Sequence, residues 1–215
     1  MLVSAPRFHT VEPSGPDADP ATARSLELRG PGHPQRAALE AFIRTIYARR
    51  YGAQVRDFAP TLVGLRDHNA LVAAAGYRNA ATDRLYLERY LSEPVEAALA
   101  RVAHRRVARE NIVEVGHLAS ERGGEGLRLI KRIARHLADQ GFEWAVCTIT
   151  RELRPALERL DARPLTLHLA EPSMLGNEAA AWGKYYEHDP VVIAVELNAA
   201  LRRHAERRSR GRGRP

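Results

Sequence analysis

Apolar positions change period several times along this chain, and each change marks an element. "SLELR" at 25–29 alternates and predicts a first strand. Leu39, Phe42, Ile43, Ile46 and Tyr47 then recur at helical spacing, with Pro34 in the first turn and "YGA" at 51–53 as the stop. In "TLVGLRDHNALVAAAGYR" (61–78) two apolar runs flank "RDHN", the pattern of a β-hairpin. "LYLERYL" at 85–91 fits a strand or a helix start. Ser92 suits an N-cap for a helix running to about 104, with Val95, Leu99 and Val102 inward.

A strand at 112–119 comes next, then a glycine-rich loop, then a helix at 125–140. Leu127, Ile130, Ile133, Ala134 and Leu137 share one face of that helix, and Gly141 follows it as a C-terminal cap. "FEWAVCTIT" (142–150) is the most strand-like run. A short helix at 152–160 and strands at 165–170 and 190–196 complete the pattern. The order is β-α-β-β-α-β-α-β-α-β-β, which predicts an α/β domain with a mixed central sheet and flanking helices over 25–200. Residues 1–24 carry four of the 13 prolines and few large apolar side chains, so they read as a loose leader.

Charge changes the picture only at one end. The net charge is +7, but residues 201–215, "LRRHAERRSRGRGRP", hold seven Arg and one Glu. The remaining 200 residues are close to neutral. That tail reads as disordered, able to touch anionic polymers or lipid by charge alone, and it predicts no specific nucleic-acid function. The single cysteine, Cys147, excludes an internal disulfide and a multi-cysteine metal site, and no metal centre is expected. No continuous apolar run reaches the length of a signal core or a membrane span. A cytoplasmic protein is the expectation.

"EVGHLASERGGEG" (114–126) concentrates the chemistry. A strand, a glycine loop and a helix N-terminus in succession make an anion site, because free backbone N–H groups converge there and glycine lets a ligand approach. The loop has neither Walker nor dinucleotide spacing. A tight turn is the plainer reading of the same residues.

The order of elements together with this loop resembles the GCN5-related N-acyltransferase (GNAT) fold, whose fourth strand, donor loop and following helix would be 112–140. "YGA", "GYR", "LYLERYL", "EVGHLAS" and "WGKYY", in that order, resemble the thermostable hemolysin family, which is grouped with GNAT-like acyltransferases near the acyl-homoserine-lactone synthases. The resemblance implies transfer of an acyl chain from a pantetheine thioester to an amine acceptor. Arg122, Gly123, Gly124, Gly126 and Arg128 would then bind the donor. Aligning Gly124 and Gly126 with the family's two small positions puts Glu121 where Gln or Arg is usual, an acid beside the place of a diphosphate. This favours an acyl chain carried by acyl carrier protein over one carried by coenzyme A. Arg128, Lys131, Arg132 and Arg135 would form its docking face, unless they are only a solvated helix face. The Glu-x-x-Arg of the lactone synthases corresponds here to Glu114 and His117.

The family's name also implies a non-catalytic, membrane-active effector, which stands as the alternative. For Glu114 the choices are a general base or a structural carboxylate. His117, three residues on, shares its side of the strand only if a bulge intervenes. Glu88, set among large apolar residues in "LYLERYL", either recognises the acceptor amine or is neutralised by neighbours. Cys147 reads as a packed core thiol. Tyr185 and Tyr186 read as a packed pair or as a phenolic acid for the leaving thiolate.

Overall fold

The computed structural model describes residues 25–212, so the leader at 1–24 and residues 213–215 lie outside the described residues. Seven strands form one sheet in the order β1-β2-β3-β4-β5-β7-β6. They are β1 (Ser25–Arg29), β2 (Thr61–Asp67), β3 (Ala70–Asn79), β4 (Ile112–Ser120), β5 (Trp144–Ile149), β6 (Leu165–Leu169) and β7 (Val191–Glu196). All pairings are antiparallel except β4 with β5. The mixed sheet and the α/β order are as expected from the sequence. "LYLERYL" resolves as a 3-10 turn at Leu87–Tyr90.

Both faces of the sheet are covered, which is why β2 and β3 read as continuous apolar runs. Helix α1 (Arg36–Tyr51) packs Leu39, Ile43, Ile46 and Tyr47 over Leu62, Ala74 and Ala119. On the opposite face α3 (Gly123–Asp139) lays Leu129, Ile133 and Leu137 on Val63, Leu65, Ala73, Ala75 and Val113. The period-2 alternation of the strands sorts these residues between the two layers. The apolar surface of α3 is wider than this packing needs. Leu127, Ile130 and Ala134, expected to face the core, are only half-buried and line a cavity.

Three expectations change. Helix α2 (Val95–Ala103) begins after Pro94, so Ser92 is not its cap: Pro94 fixes the entry, and its carbonyl receives the N–H groups of Ala97 and Ala98. Helix α3 starts at Gly123, so the glycines form its first turn and not a loop before it. The arginine tail is not disordered through 212. It continues as α5 (Leu197–Arg212), which packs Leu197 into the layer beneath α3. Arg203 donates to the carbonyls of Asp161 and Ala162, and Arg207 to that of Glu158. These carbonyls follow or end α4 (Arg154–Arg159), where cations are favoured. Arginine spaced four apart is therefore structural here, beyond what composition conveys.

Two distant motifs meet at the end of α1. Lys184 N–H donates to Tyr51 O at 2.8 Å, and Gln54 N–H to Ala181 O at 2.7 Å. Gly183 between them has φ +53°, and a Cβ there would strike the carbonyl of Tyr51. "YGA" and "WGKYY" are thus two halves of one joint. Gly183→Ala is expected to cost about 2 kcal/mol or more in urea unfolding. Gly141→Ala, also at positive φ but facing open space, is expected to cost about 1 kcal/mol. Equal losses would show that the joint is not tightly packed.

Candidate active site

Strands β4 and β5 pair only at Ile112↔Trp144, Val113↔Ala145 and Glu114↔Val146. Beyond Glu114 they part. On its other edge β4 is bulged: Gly76 pairs with Gly116 and Ala74 with Ala119, so His117 and Leu118 together stand opposite Ala75. His117 takes the left-handed conformation, φ +56°, at this bulge. The bulge that the sequence required for Glu114 and His117 to meet is present, and both line one cavity.

That cavity, of about 600 Å³, is polar and aromatic, with Arg78, Tyr86, Tyr90 and Trp182 among its walls. Trp182 Nε1–H donates to Tyr86 Oη at 3.1 Å, and Tyr90 and Tyr186 share a hydroxyl hydrogen bond of 2.7 Å. The polar tips are thus satisfied within the wall, and ring surfaces face the space. A second cavity, also about 600 Å³, is mainly apolar and runs between α3, α4, α5 and β5. Tyr47, Val115, Gly116, His117, Thr148 and Tyr185 line both cavities. The two spaces therefore adjoin where β4 and β5 separate.

Glu114 is 7% exposed. Its carboxylate accepts from the N–H of Tyr86 at 2.7 Å and of Leu87 at 2.9 Å, and Arg78, its cross-strand neighbour, lies 3.3 Å away. Burial raises its pKa above the usual carboxylate value, while Arg78 and the two amides oppose that rise. His117 is neutral: burial, with Arg78 assisting, lowers its pKa to about 4 against the pull of the Asp57 carbonyl. Nε2 lies 3.1 Å from Asp57 O, which assigns the proton to that nitrogen. The lone pair then sits on Nδ1, which has no partner among the described residues.

Glu88 goes elsewhere. It does not line either cavity, and Arg109 grips it through contacts of 2.6 and 2.9 Å. The N–H groups of Leu85 and Val95 also donate to it. Burial alone would raise its pKa, but these donors outweigh burial and lower it. Of the two readings of Glu88, these contacts match neutralisation by neighbours: Glu88 ties the 87–90 turn to α2.

Of the glycines, Gly126 is set by packing, since a Cβ would lie 2.9 Å from Ser120 Oγ. Gly123 and Gly124 meet no such crowding. Both face open space and line the apolar cavity. The N–H groups of Glu125 and Gly126 turn back to Arg122 O, leaving those of Gly123 and Gly124 without a backbone acceptor among the described residues. This cradle has room for an external group. Arg122 is exposed beside it, and Arg128 pairs with Glu125. Lys131 and Arg135 border the apolar cavity, and Arg132 is exposed on the same helix.

Cys147 is a packed thiol on the apolar wall, its pKa pushed up to about 12 by burial and by Glu114. Tyr186 is occupied by Tyr90, and Tyr185 is buried in the wall common to both cavities. Arg78, Tyr47 and Trp182 were not singled out from sequence. They belong to the motifs at 76–78 and 182–186 or to α1, but their convergence depends on strand register and on the joint at Gly183. No cluster of metal-binding side chains occurs among the described residues, and no described helix is long and apolar enough to cross a membrane.

Several solved structures share this architecture. FeeM, an N-acyl amino acid synthase from uncultured soil microbes, is 15% identical, with TM-score 0.58 over 83% of this chain and 94% of that one. The CoA-dependent acyl-homoserine lactone synthase BjaI, with SAM and isopentyl-CoA, is 13% identical, with TM-score 0.58 over 86% and 89%. The AHL synthase LasI is 10% identical, with TM-score 0.56 over 84% and 95%. At these identities the likeness establishes the fold, which is GNAT-like. No curated protein matches the chain. Residues 29–201, from β1's last residue to the start of α5, match the family model described as thermostable hemolysin, and the chain belongs to that family.

Proposed function

We propose that this protein is an N-acyltransferase that moves an acyl chain from a pantetheine thioester to an amine. One observation carries the reading: an apolar cavity and a polar, aromatic one share a wall at the point where β4 and β5 part. The acyl chain lies in the apolar cavity, and the amine enters from the polar one. The pantetheine arm follows the split past Gly123 and Gly124, whose open N–H groups suit its amide or phosphate oxygens. The similar folds of an N-acyl amino acid synthase and of lactone synthases support this class of reaction.

The amine nitrogen attacks the thioester carbonyl carbon, forming C–N, and the C–S bond breaks as the thiolate leaves. A β4 amide beyond Glu114, no longer paired to β5, is placed to steady the oxyanion. The attacking nitrogen becomes acidic once bonded to carbon, and neutral His117 receives its proton on Nδ1. The departing thiolate takes up a proton from solvent. Glu114, seated on three donors, acts by position: it fixes Tyr86 and Leu87, and with them the aromatic wall. The acid at Glu121 favours a carrier-protein thioester, presented in the cytoplasm, over coenzyme A.

Thiol release from dodecanoyl carrier protein and dodecanoyl-coenzyme A, each with a pool of amines, tests the reading. The carrier-protein thioester is expected to react faster. His117→Gln is expected to lower kcat by about 100-fold or more, while Glu114→Gln raises KM for the amine more than it lowers kcat. No release from either donor by folded protein would remove the enzymatic reading. Dye release from liposomes without any donor would favour the membrane-active alternative.

His117 also sets a pH dependence. Its folded pKa of about 4 lies below the ordinary value of 6.5, so the folded state binds fewer protons between those values. The stabilisation is full above about pH 6.5, and it is lost as pH falls through 4. Ring-proton NMR is expected to show a midpoint near 4, and His117→Gln to flatten stability between pH 6.5 and 4. A midpoint near 6.5 would mean that the imidazole is hydrated and not held neutral.

A further inference from the structure

The apolar cavity has a second mouth. Gly124, at its donor end, and Arg135 both line it, and the eleven helical steps from one to the other span about 16 Å. At the far end the lining changes from apolar side chains to Lys131 and Arg135 of α3, Arg159 of α4, and His204 and Arg208 of α5. Arg135, Arg159 and Arg208 are exposed, so the cavity opens to solvent among them. Both ring nitrogens of His204 are shielded from solvent and have no partner among the described residues. Burial and the charges of Lys131, Arg208 and Arg207 keep that ring below its ordinary pKa. Cations from three helices thus meet beside an unpaired imidazole at the rim of an apolar channel.

An acyl chain entering from the β4–β5 split has no use for this rim. Four cations set around an apolar opening match a molecule with an apolar tail and an anionic head. We propose that the protein binds an amphiphilic anion, a fatty carboxylate or an alkyl phosphate, tail-first through this mouth. Its head contacts Lys131, Arg135 and Arg208. The binding stands on the cavity alone. Its consequence, competition with the donor's acyl chain for the same space, rests on the acyltransferase reading.

Titration calorimetry with the full chain tests this using dodecanoate, dodecyl phosphate, dodecanol and dodecylamine. The two anions are expected to bind about tenfold or more tightly than the alcohol or the amine. Arg135→Glu with Arg208→Glu is expected to remove that preference while dodecanol binding is retained, which shows that the cavity remains folded. Preference for the carboxylate assigns a free fatty acid, and preference for the phosphate assigns a lysophospholipid-type head. Equal affinity for all four ligands, or an anion preference unmoved by the double variant, would overturn the proposal. Anion binding in a protein that releases no thiol would sustain it while removing the acyltransferase reading.

Discussion

The parting of β4 from β5 after Glu114 is the constraint on which the rest of the molecule turns. A sheet interior normally leaves no backbone donor or acceptor unpaired, because a buried unpaired amide costs about as much as a lost hydrogen bond. Here the split is tolerable because it lines a cavity, where a ligand can supply the missing partners. The strand ends that separate carry Gly116, His117 and Thr148, all of them on the wall common to both spaces. The bulge at His117 and Leu118 continues the same departure from regular pairing on the β3 side. A strand freed on one edge and bulged on the other can aim a side chain that regular geometry would turn away.

Two carboxylates, Glu114 buried and Glu88 half-buried, hold what the split would otherwise loosen. Glu114 reaches from β4 to the amides of Tyr86 and Leu87, and Glu88 reaches from that same turn to Val95 and Arg109. The segment 85–95 has no strand ladder, and the N–H groups of Leu85, Tyr86, Leu87 and Val95 are taken up by these two side chains. Opposite pKa displacements record different surroundings: burial dominates at Glu114, whereas donors dominate at Glu88. An acid in an apolar motif invites a catalytic reading. The geometry gives both acids enough donors to explain their presence in the fold, which leaves the neutral imidazole as the group with a lone pair to offer.

The sheet and helices were legible because their periodicity is local: the hairpin at 61–78, the strand at 112–120 and the helix after it can each be read from a dozen residues. The glycines ahead of that helix stand out locally too, but they open its first turn and form no loop before it. What escaped depends on contacts remote in sequence. Arg78 becomes a partner of Glu114 only through the β3–β4 register, and Glu88 is claimed by Arg109 from 21 residues away. The joint between "YGA" and "WGKYY" brings together segments over 100 residues apart. The tail misled for a related reason: arginine-rich composition reads as disorder until α4's carbonyls are found within reach of Arg203 and Arg207.

The apolar cavity shows how this fold divides its hydrophobic residues between stability and use. A close-packed core would fill such a space. Along this channel the walls are built with Ala134, Ala145, Ala156, Ala162, Ala200 and Cys147, small side chains on three helices, one strand and the turn after α4. Each forgoes burial that a larger residue would provide, about 0.8 kcal/mol per methylene. Meanwhile the row Leu129, Ile133 and Leu137 packs on the sheet, and only the edges of Ile133 and Leu137 reach the cavity. One helix thus carries two adjacent apolar stripes with different tasks: one packs on the sheet, and the other faces space. An unusually wide apolar face, on a helix that begins with uncrowded glycines, is the trace that this division leaves in the sequence.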